Sequence, residues 1–152
     1  MIKFKETEEK DIKLIIEYIE KIAKYEKLLD KVSNNEELLK KNIFQKKYAK
    51  IVLILNENNK TIGYLVYYFN YSTFTGKPGL YIEDLYLDEE ERNKGYGTII
   101  FNEIKKIAKD NKCGRIEWVC LNWNTNSLNF YKKMHAESLN EWILLRLSEQ
   151  NF

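Results

Sequence analysis

The stretch Asp88-Glu89-Glu90-Glu91-Arg92-Asn93-Lys94-Gly95-Tyr96-Gly97-Thr98 joins a predicted strand, Leu80–Leu87, to a predicted helix that ends near Asn111. Glycines between a strand and a helix let backbone N–H groups point at an anion, and the helix N-terminus adds partial positive charge. The spacing therefore predicts a pyrophosphate-binding loop made of backbone. It is neither a P-loop, since no Gly-Lys-Ser/Thr follows, nor G-x-G-x-x-G. Taken alone, Arg-x-x-Gly-x-Gly is equally compatible with a structural turn.

Apolar periodicity predicts the elements on both sides of this loop. Before the loop, the pattern predicts a strand at Ile2–Phe4, a helix over about residues 8–26 capped by Thr7, and a second helix that starts with a Ser33/Glu36 capping box. These are followed by a strand Ile51–Leu55, a turn at 56–60, a β-rich run Thr61–Tyr71 and a loop Ser72–Gly79. After the helix, it predicts a strand Arg115–Leu121, a helix Asn124–Met134 and a final strand Trp142–Leu147. This order describes a mixed α/β sheet with helices on both faces.

Length and composition indicate one domain, residues 1–152, with 44% hydrophobic and 32% charged residues. No run of 18 apolar residues exists, which excludes a membrane span, and residues 1–5 lack a signal-peptide pattern, so we expect a cytoplasmic protein. The balance of 25 basic and 23 acidic residues argues against a nucleic-acid partner. Cys113, Cys120 and a single histidine are too few for a disulfide framework or a zinc site, so no metal is expected.

In this context the loop resembles the acetyl-CoA pyrophosphate motif of the GNAT superfamily of N-acyltransferases, and the element order is similar to that fold. Four further stretches resemble the spermidine/spermine (diamine) acetyltransferase branch, namely Ala23–Glu26, Gly63–Phe69, Tyr81–Asp84 and Trp123–Lys132. The resemblance runs from about Ile2 to Leu147. It implies a single-domain fold with a mixed, mostly antiparallel sheet of about six to seven strands, four flanking helices and a splayed strand pair that holds acetyl-CoA.

The resemblance also implies where acetyl-CoA binds. The pantetheine arm is expected between the strand carrying Leu85, Tyr86 and Leu87, whose N–H groups would polarise the thioester carbonyl, and the strand near Trp118–Leu121. The pyrophosphate is expected on Arg92, Asn93, Lys94, Gly95, Tyr96, Gly97 and Thr98. Further polar contacts to the arm are expected from Asn124, Ser127 and Asn129.

By the same resemblance, Tyr131 matches the tyrosine that protonates the departing CoA thiolate, and Glu26, Glu83 and Asp84 match acidic residues of the amine site. The residue types suit the reaction, because an alkylammonium with a pKa near about 10.4 must lose its proton and a carboxylate can accept it. Consecutive strand residues face opposite sides, so we expect one of Glu83 and Asp84 on a given side of the cleft, with Glu83 catalytic. Without the resemblance, both would be interpreted as solvated charges and Tyr131 as a core or rim aromatic.

Four positions depart from the family pattern. Asn93 and His135 replace glycines, while Ser72 and Phe74 stand where the diamine enzymes have Asp and Trp. The second pair predicts an acceptor that differs from spermidine and spermine.

The resulting hypothesis is a homodimeric, acetyl-CoA-dependent N-acetyltransferase. It would acetylate the primary amine of a polyamine, diamine or lysine-like amino acid by direct attack in a ternary complex. The alternatives are acetylation of a protein N-terminus or lysine side chain, and a non-catalytic CoA-binding regulatory module.

Overall fold

The computed structural model describes all 152 residues and divides them into two compact units, residues 1–119 and 120–152. The first unit contains β1 (Lys3–Glu6), α1 (Ile12–Tyr25), α2 (Glu36–Leu39), β2 (Lys50–Leu55), β3 (Thr61–Ser72), β4 (Lys77–Leu87), α3 (Tyr96–Asp110) and β5 (Arg115–Glu117). The second unit contains α4 (Thr125–Lys133) and a terminal 3₁₀ turn (Glu149–Asn151). None of the helices has the length and apolar character needed to cross a membrane.

The sheet has five strands in the order β1-β2-β3-β4-β5. Neighbours are antiparallel except β4 and β5, which are parallel. The prediction of a mixed, mostly antiparallel sheet with four helices is confirmed, but the expected six to seven strands are wrong. The strand predicted to reach Leu121 ends at Glu117.

The predicted final strand, Trp142–Leu147, is also wrong, because this segment forms no regular secondary structure. Its side chains are exposed, for example Ile143 at 81% and Leu145 at 86%. A strand needs a neighbour that accepts and donates backbone hydrogen bonds, and no other strand of this chain pairs with the segment. An apolar run is therefore not sufficient to form a strand here.

Two predicted helix starts are shifted by a few residues. The chain first forms a 3₁₀ turn, Glu9–Asp11, with Glu8 and Asp11 as a reciprocal capping box, whereas the hydroxyl of Thr7 donates to the carbonyl of Ile51 at 2.9 Å. The second helix is capped by Asn35 rather than Ser33, since Asn35 Oδ1 accepts the Leu38 N–H at 2.9 Å. Helix α2 then continues as a π-helix over Lys40–Gln45.

The core of the first unit lies on both faces of the sheet. One face packs against α1, with Ile15 and Tyr18 contacting buried residues of the strands such as Leu53 and Tyr64. The other face carries the buried side chains of Tyr67 on β3 and of its partner Ile82 on β4. Successive strand residues alternate between the two faces, so β3 contributes side chains to both.

A β-bulge interrupts this alternation in β4. Val66 of β3 pairs with Asp84, but the next residue, Tyr67, pairs with Ile82, so Glu83 has no partner on β3. Directly paired residues share a face of the sheet. The bulge therefore turns Asp84 towards the α1 face, although Ile82, two residues earlier, lies on the opposite face.

Candidate active site

The predicted loop places an anion cradle at the start of α3. Gly95 is the N-terminal cap of α3 with a φ of +79°, and no atom lies within 4 Å of where a Cβ would stand. No side chain caps the helix, so the N–H groups of its first turn have no side-chain partner. Exposed N–H groups at a helix N-terminus fit the pyrophosphate that the sequence predicts here.

Both glycine replacements keep the backbone conformation that glycine favours. Asn93 has a φ of +61° and His135, just after α4, has a φ of +65°. Asn and His are among the non-glycine residues that tolerate the left-handed region best. The loop and the end of α4 therefore keep a glycine-like turn despite the substitutions.

Arg92 points back into the first unit. Its Nε donates to the carbonyl of Leu87 at 3.0 Å, and its guanidinium lies 4.6 Å from the ring centroid of Tyr25 and 5.2 Å from that of Tyr86. These contacts join the loop to the end of β4 and to the last residue of α1. A contact between Arg92 and pyrophosphate stays a prediction.

The C-terminal part of β4 pairs with no strand on the side where β5 lies, and we call this side of the strand its free edge. Pairing with β5 ends at Tyr81 and Glu117, as the predicted strand splay requires. The Asp88 N–H donates to the Ile62 carbonyl on β3, so by alternation Leu85 and Leu87 direct their backbone groups to the free edge. The Leu87 carbonyl accepts Arg92 on that side. Of the three predicted residues, Leu85 and Leu87 can offer N–H groups there, while Tyr86 points its N–H at β3.

Glu26 is the C-terminal cap of α1, Glu83 and Asp84 lie at the bulge in β4, and we name these three residues the carboxylate cluster. Burial raises the pKa of Glu26, and the charges of Asp84 and Glu83 raise it further. Glu83 and Asp84 thus both disfavour the ionised form of Glu26. The expectation that only one of Glu83 and Asp84 enters a given side of the cleft stays a prediction, although the bulge at Glu83 interrupts the strand alternation on which it rests.

Asp84 has a buried partner that the sequence did not reveal. The hydroxyl of Tyr64 donates to Asp84 Oδ2 at 2.5 Å, and Tyr64 is fully buried. Burial raises the pKa of Asp84, and the Tyr64 hydrogen bond opposes that shift. Only the strand register could have identified this pair, since 20 residues separate its members.

A second tyrosine–aspartate pair lies in the same core. The hydroxyl of Tyr18 donates to Asp88 Oδ2 at 3.0 Å, and Lys21 Nζ lies 2.7 Å from Asp88 Oδ1. Asp88 is buried and carries a cation as partner, in contrast to Asp84. This pair links α1 to the end of β4.

The turn between β3 and β4 holds the two residues that depart from the diamine pattern. Ser72 Oγ accepts the Thr75 N–H at 3.4 Å, and Phe74 is fully exposed. No group of three or more His, Cys, Asp or Glu side chains is arranged to hold a metal ion.

In the second unit, the predicted site residues lie on or beside α4. Asn124 is the N-terminal cap, and its Oδ1 accepts the Ser127 N–H at 3.3 Å. Asn129 is exposed, and Tyr131 lies beside Phe130 with 5.7 Å between ring centroids. The helix matches the predicted Asn124–Met134 within one residue at each end, while the roles of these side chains stay predictions.

Known proteins resemble this chain in sequence and fold. Residues 16–136 match the family model described as the acetyltransferase (GNAT) family. A thialysine N-epsilon-acetyltransferase of Bos taurus is 32% identical over 92% of this chain and 86% of its own length. The L-ornithine N5-acetyltransferase of Arabidopsis thaliana is 40% identical over 57% of this chain, which spans 38% of that relative.

Solved structures share the fold at lower identity. An integron cassette protein of V. cholerae superposes with a TM-score of 0.80 at 21% identity, covering 99% of this chain and 94% of the other. A ribosomal-protein-alanine N-acetyltransferase from Brucella melitensis gives a TM-score of 0.75 at 11% identity, covering 97% and 100%. At these identities the likeness concerns the fold alone.

Proposed function

The chain belongs to the GNAT acetyltransferase family, and on that premise we propose that it transfers the acetyl group of acetyl-CoA to a primary amine of a small molecule. The amine attacks the thioester directly in a ternary complex, with no covalent enzyme intermediate. The carboxylate cluster is the observation that carries this proposal. The pKa values of Glu26 and Asp84 are raised and the charge of Glu83 acts on Glu26, which suits an ammonium that must be bound and then deprotonated.

The C-terminal half of β4 and the loop that follows it would divide the binding work. The loop 92–98 holds the pyrophosphate through backbone N–H groups, and the free edge at Leu85 and Leu87 offers N–H groups to the thioester carbonyl as negative charge develops on its oxygen. The amine reaches Glu83, which accepts its proton directly or through water, while Asp84 and Glu26 attract the ammonium. Tyr131 gives a proton to the departing thiolate.

The proposed acceptor is an amino acid or a diamine that carries a terminal primary amine. The names of the bovine and Arabidopsis relatives support this class, since thialysine and ornithine both carry such an amine. Ser72 and Phe74 supply no ion pair for a second ammonium at the β3–β4 turn. One lost charged hydrogen bond is worth about 1.5–3 kcal/mol, which is enough to change the preferred substrate.

A panel of amines tests the proposal. Purified protein and acetyl-CoA are mixed with ornithine, lysine, thialysine, diamines, spermidine, aminoglycosides and peptides, and thiol release is followed against a blank without amine. We expect the short amino acids or diamines to give the highest kcat/KM. Spermidine as the best substrate contradicts the proposed acceptor, and a peptide as the best substrate indicates a protein acetyltransferase. Binding of acetyl-CoA with no turnover of any amine indicates a regulatory module.

We further propose that the protein is a homodimer. The exposed apolar segment Trp142–Leu147 supports this, because a second copy would remove its side chains from water. Sedimentation of the full chain gives the mass in solution. A monomer at micromolar concentration contradicts the proposal.

A further inference from the structure

Two buried tyrosines stack in the core and each donates its hydroxyl to a different aspartate. Their ring centroids lie 5.6 Å apart, and both side chains are 1% exposed or less. Tyr18 donates to Asp88 and Tyr64 donates to Asp84. The same packing therefore fixes the positions of both hydroxyl groups.

The two aspartates differ in their other partners. Asp88 also binds Lys21, which neutralises its charge. Asp84 accepts a hydrogen bond from Tyr64 alone, through Oδ2. Its Oδ1 is not among the buried side-chain oxygens that lack a hydrogen-bond partner.

A hydrogen bond from a neutral hydroxyl to a carboxylate has two effects. It favours the ionised form of the acid, and it fixes the rotation of the carboxyl group. Tyr64 can exert both, because its side chain is fully buried and its ring packs against that of Tyr18.

We propose that Tyr64 is a positioning residue for the acceptor amine, which it serves by holding Asp84 with Oδ2 against the core and Oδ1 towards the substrate. The proposal rests on the role of Asp84 in the amine site given above. Tyr64 itself does not touch the amine.

The charges around Asp84 determine how much the Tyr64 hydroxyl contributes to keeping it ionised. Titratable neighbours of Asp84 include Tyr64 from β3, Glu83 from β4 and Glu26 from the end of α1. Their charged forms are all negative. Tyr64 is therefore the one neighbour among them that stabilises ionised Asp84, and its loss favours the protonated acid, which cannot attract an ammonium.

Tyr64→Phe tests the proposal because it removes the hydroxyl and keeps the ring. The Asp84 carboxyl is titrated by carbon NMR, and kcat/KM for the best amine is measured against pH. We expect a higher Asp84 pKa, an acidic limb of kcat/KM shifted to higher pH, a KM for the amine raised about tenfold and an unchanged affinity for acetyl-CoA.

Tyr18→Phe is the matched control. It makes the same deletion in the same stack, but Asp88 keeps Lys21 and Asp84 keeps Tyr64. We expect a similar loss of stability to urea with no shift of the Asp84 titration. Equal shifts in both variants, or none in Tyr64→Phe, overturn the proposal.

A second substitution covers the case in which Tyr64→Phe does not fold. Replacing Tyr64 with 3-fluorotyrosine strengthens the hydroxyl as a donor with almost no change of shape, so the Asp84 pKa should fall. An unchanged or higher value overturns the proposal. The NMR titration needs no turnover, so failure of the acetyltransferase proposal in the amine panel is distinguished from failure of this one.

Discussion

The loop 92–98 and the carboxylate cluster are built in opposite ways. The loop offers backbone N–H groups at an exposed helix start, with Gly95 open to solvent and no capping side chain. The cluster depends on side chains from α1 and β4, on burial and on the bulge at Glu83. A backbone site tolerates changes such as Asn93 that preserve the local turn. A side-chain site depends on every contact that orients its carboxyl groups.

The loop 92–98 and the carboxylate cluster are also connected through side-chain contacts. Arg92 begins the loop, and its guanidinium lies over Tyr25, the neighbour of Glu26 in sequence. The effect of a substitution in the loop can thus be distinguished from an effect on the carboxylate cluster only when acetyl-CoA binding and amine turnover are measured independently.

The largest effect is expected at Tyr131, which belongs to neither region. Tyr131→Phe should lower kcat by about 10²–10⁴-fold, the usual contribution of a general acid, while calorimetry shows unchanged acetyl-CoA affinity. Tyr48→Phe, at a 69% exposed tyrosine, is the control. Full turnover of Tyr131→Phe with chemistry rate-limiting would show that water or another residue is the acid.

Glu83→Gln should lower kcat/KM for the amine by about 10²-fold, at the lower end of the range for a general base because Asp84 lies beside it. The loss should shrink as pH rises, since free amine then needs no base. Stopped-flow thiol release between pH 7 and 10 measures this, with Glu20→Gln on the exposed side of α1 as control. A loss independent of pH contradicts the assignment.

Gly97→Glu should weaken acetyl-CoA binding by about 10–100-fold, because a carboxylate in the first turn of α3 repels the pyrophosphate and fills the space it needs. Calorimetry measures the affinity, and circular dichroism checks the fold. Gly97→Gln separates size from charge. Wild-type affinity in folded Gly97→Glu would place the pyrophosphate elsewhere.

The smallest effect is a gain of stability in Glu26→Gln. Burial and neighbouring charges raise the pKa of Glu26, so its ionised form costs free energy in the folded protein at pH 7. The neutral amide should increase the free energy of unfolding by less than about 1 kcal/mol, since the carboxyl is half-buried and screened. The gain should shrink as pH falls through the raised pKa towards 4.5, where folded Glu26 becomes protonated. Urea unfolding at pH 7 and pH 5 measures it, and a loss at pH 7 contradicts the sign.

The sequence predicted the loop well because its signal is local. Glycine spacing and the change from strand to helix lie within about ten residues, and α3 ends within one residue of the predicted Asn111. The residues that cap the N-termini of the first two helices were predicted one to four positions too early, because neighbouring polar residues can also cap a helix. Asn35, two residues after Ser33, caps α2, and the capping box near the start of α1 is formed by Glu8 and Asp11 rather than by Thr7.

The rest of the site depends on pairing between distant residues. Nothing local marks Glu83 as a bulge, so the sequence could not show that Asp84 pairs with Val66 or that it accepts a hydrogen bond from Tyr64. For the same reason an apolar run predicted a strand at Trp142–Leu147 where no ladder partner exists.

The bulge also determines how this gene can tolerate insertions and deletions. Loss of the single codon for Glu83 would restore regular pairing between β3 and β4, and side chains in a strand alternate with a period of two. Because Val66 already pairs with Asp84 and Tyr67 with Ile82, every residue from Asp84 to Leu87 would keep its face of the sheet, and Asp84 would stay within reach of Tyr64. A deletion of this one residue would thus remove the proposed base and leave the pairing of its neighbours unchanged.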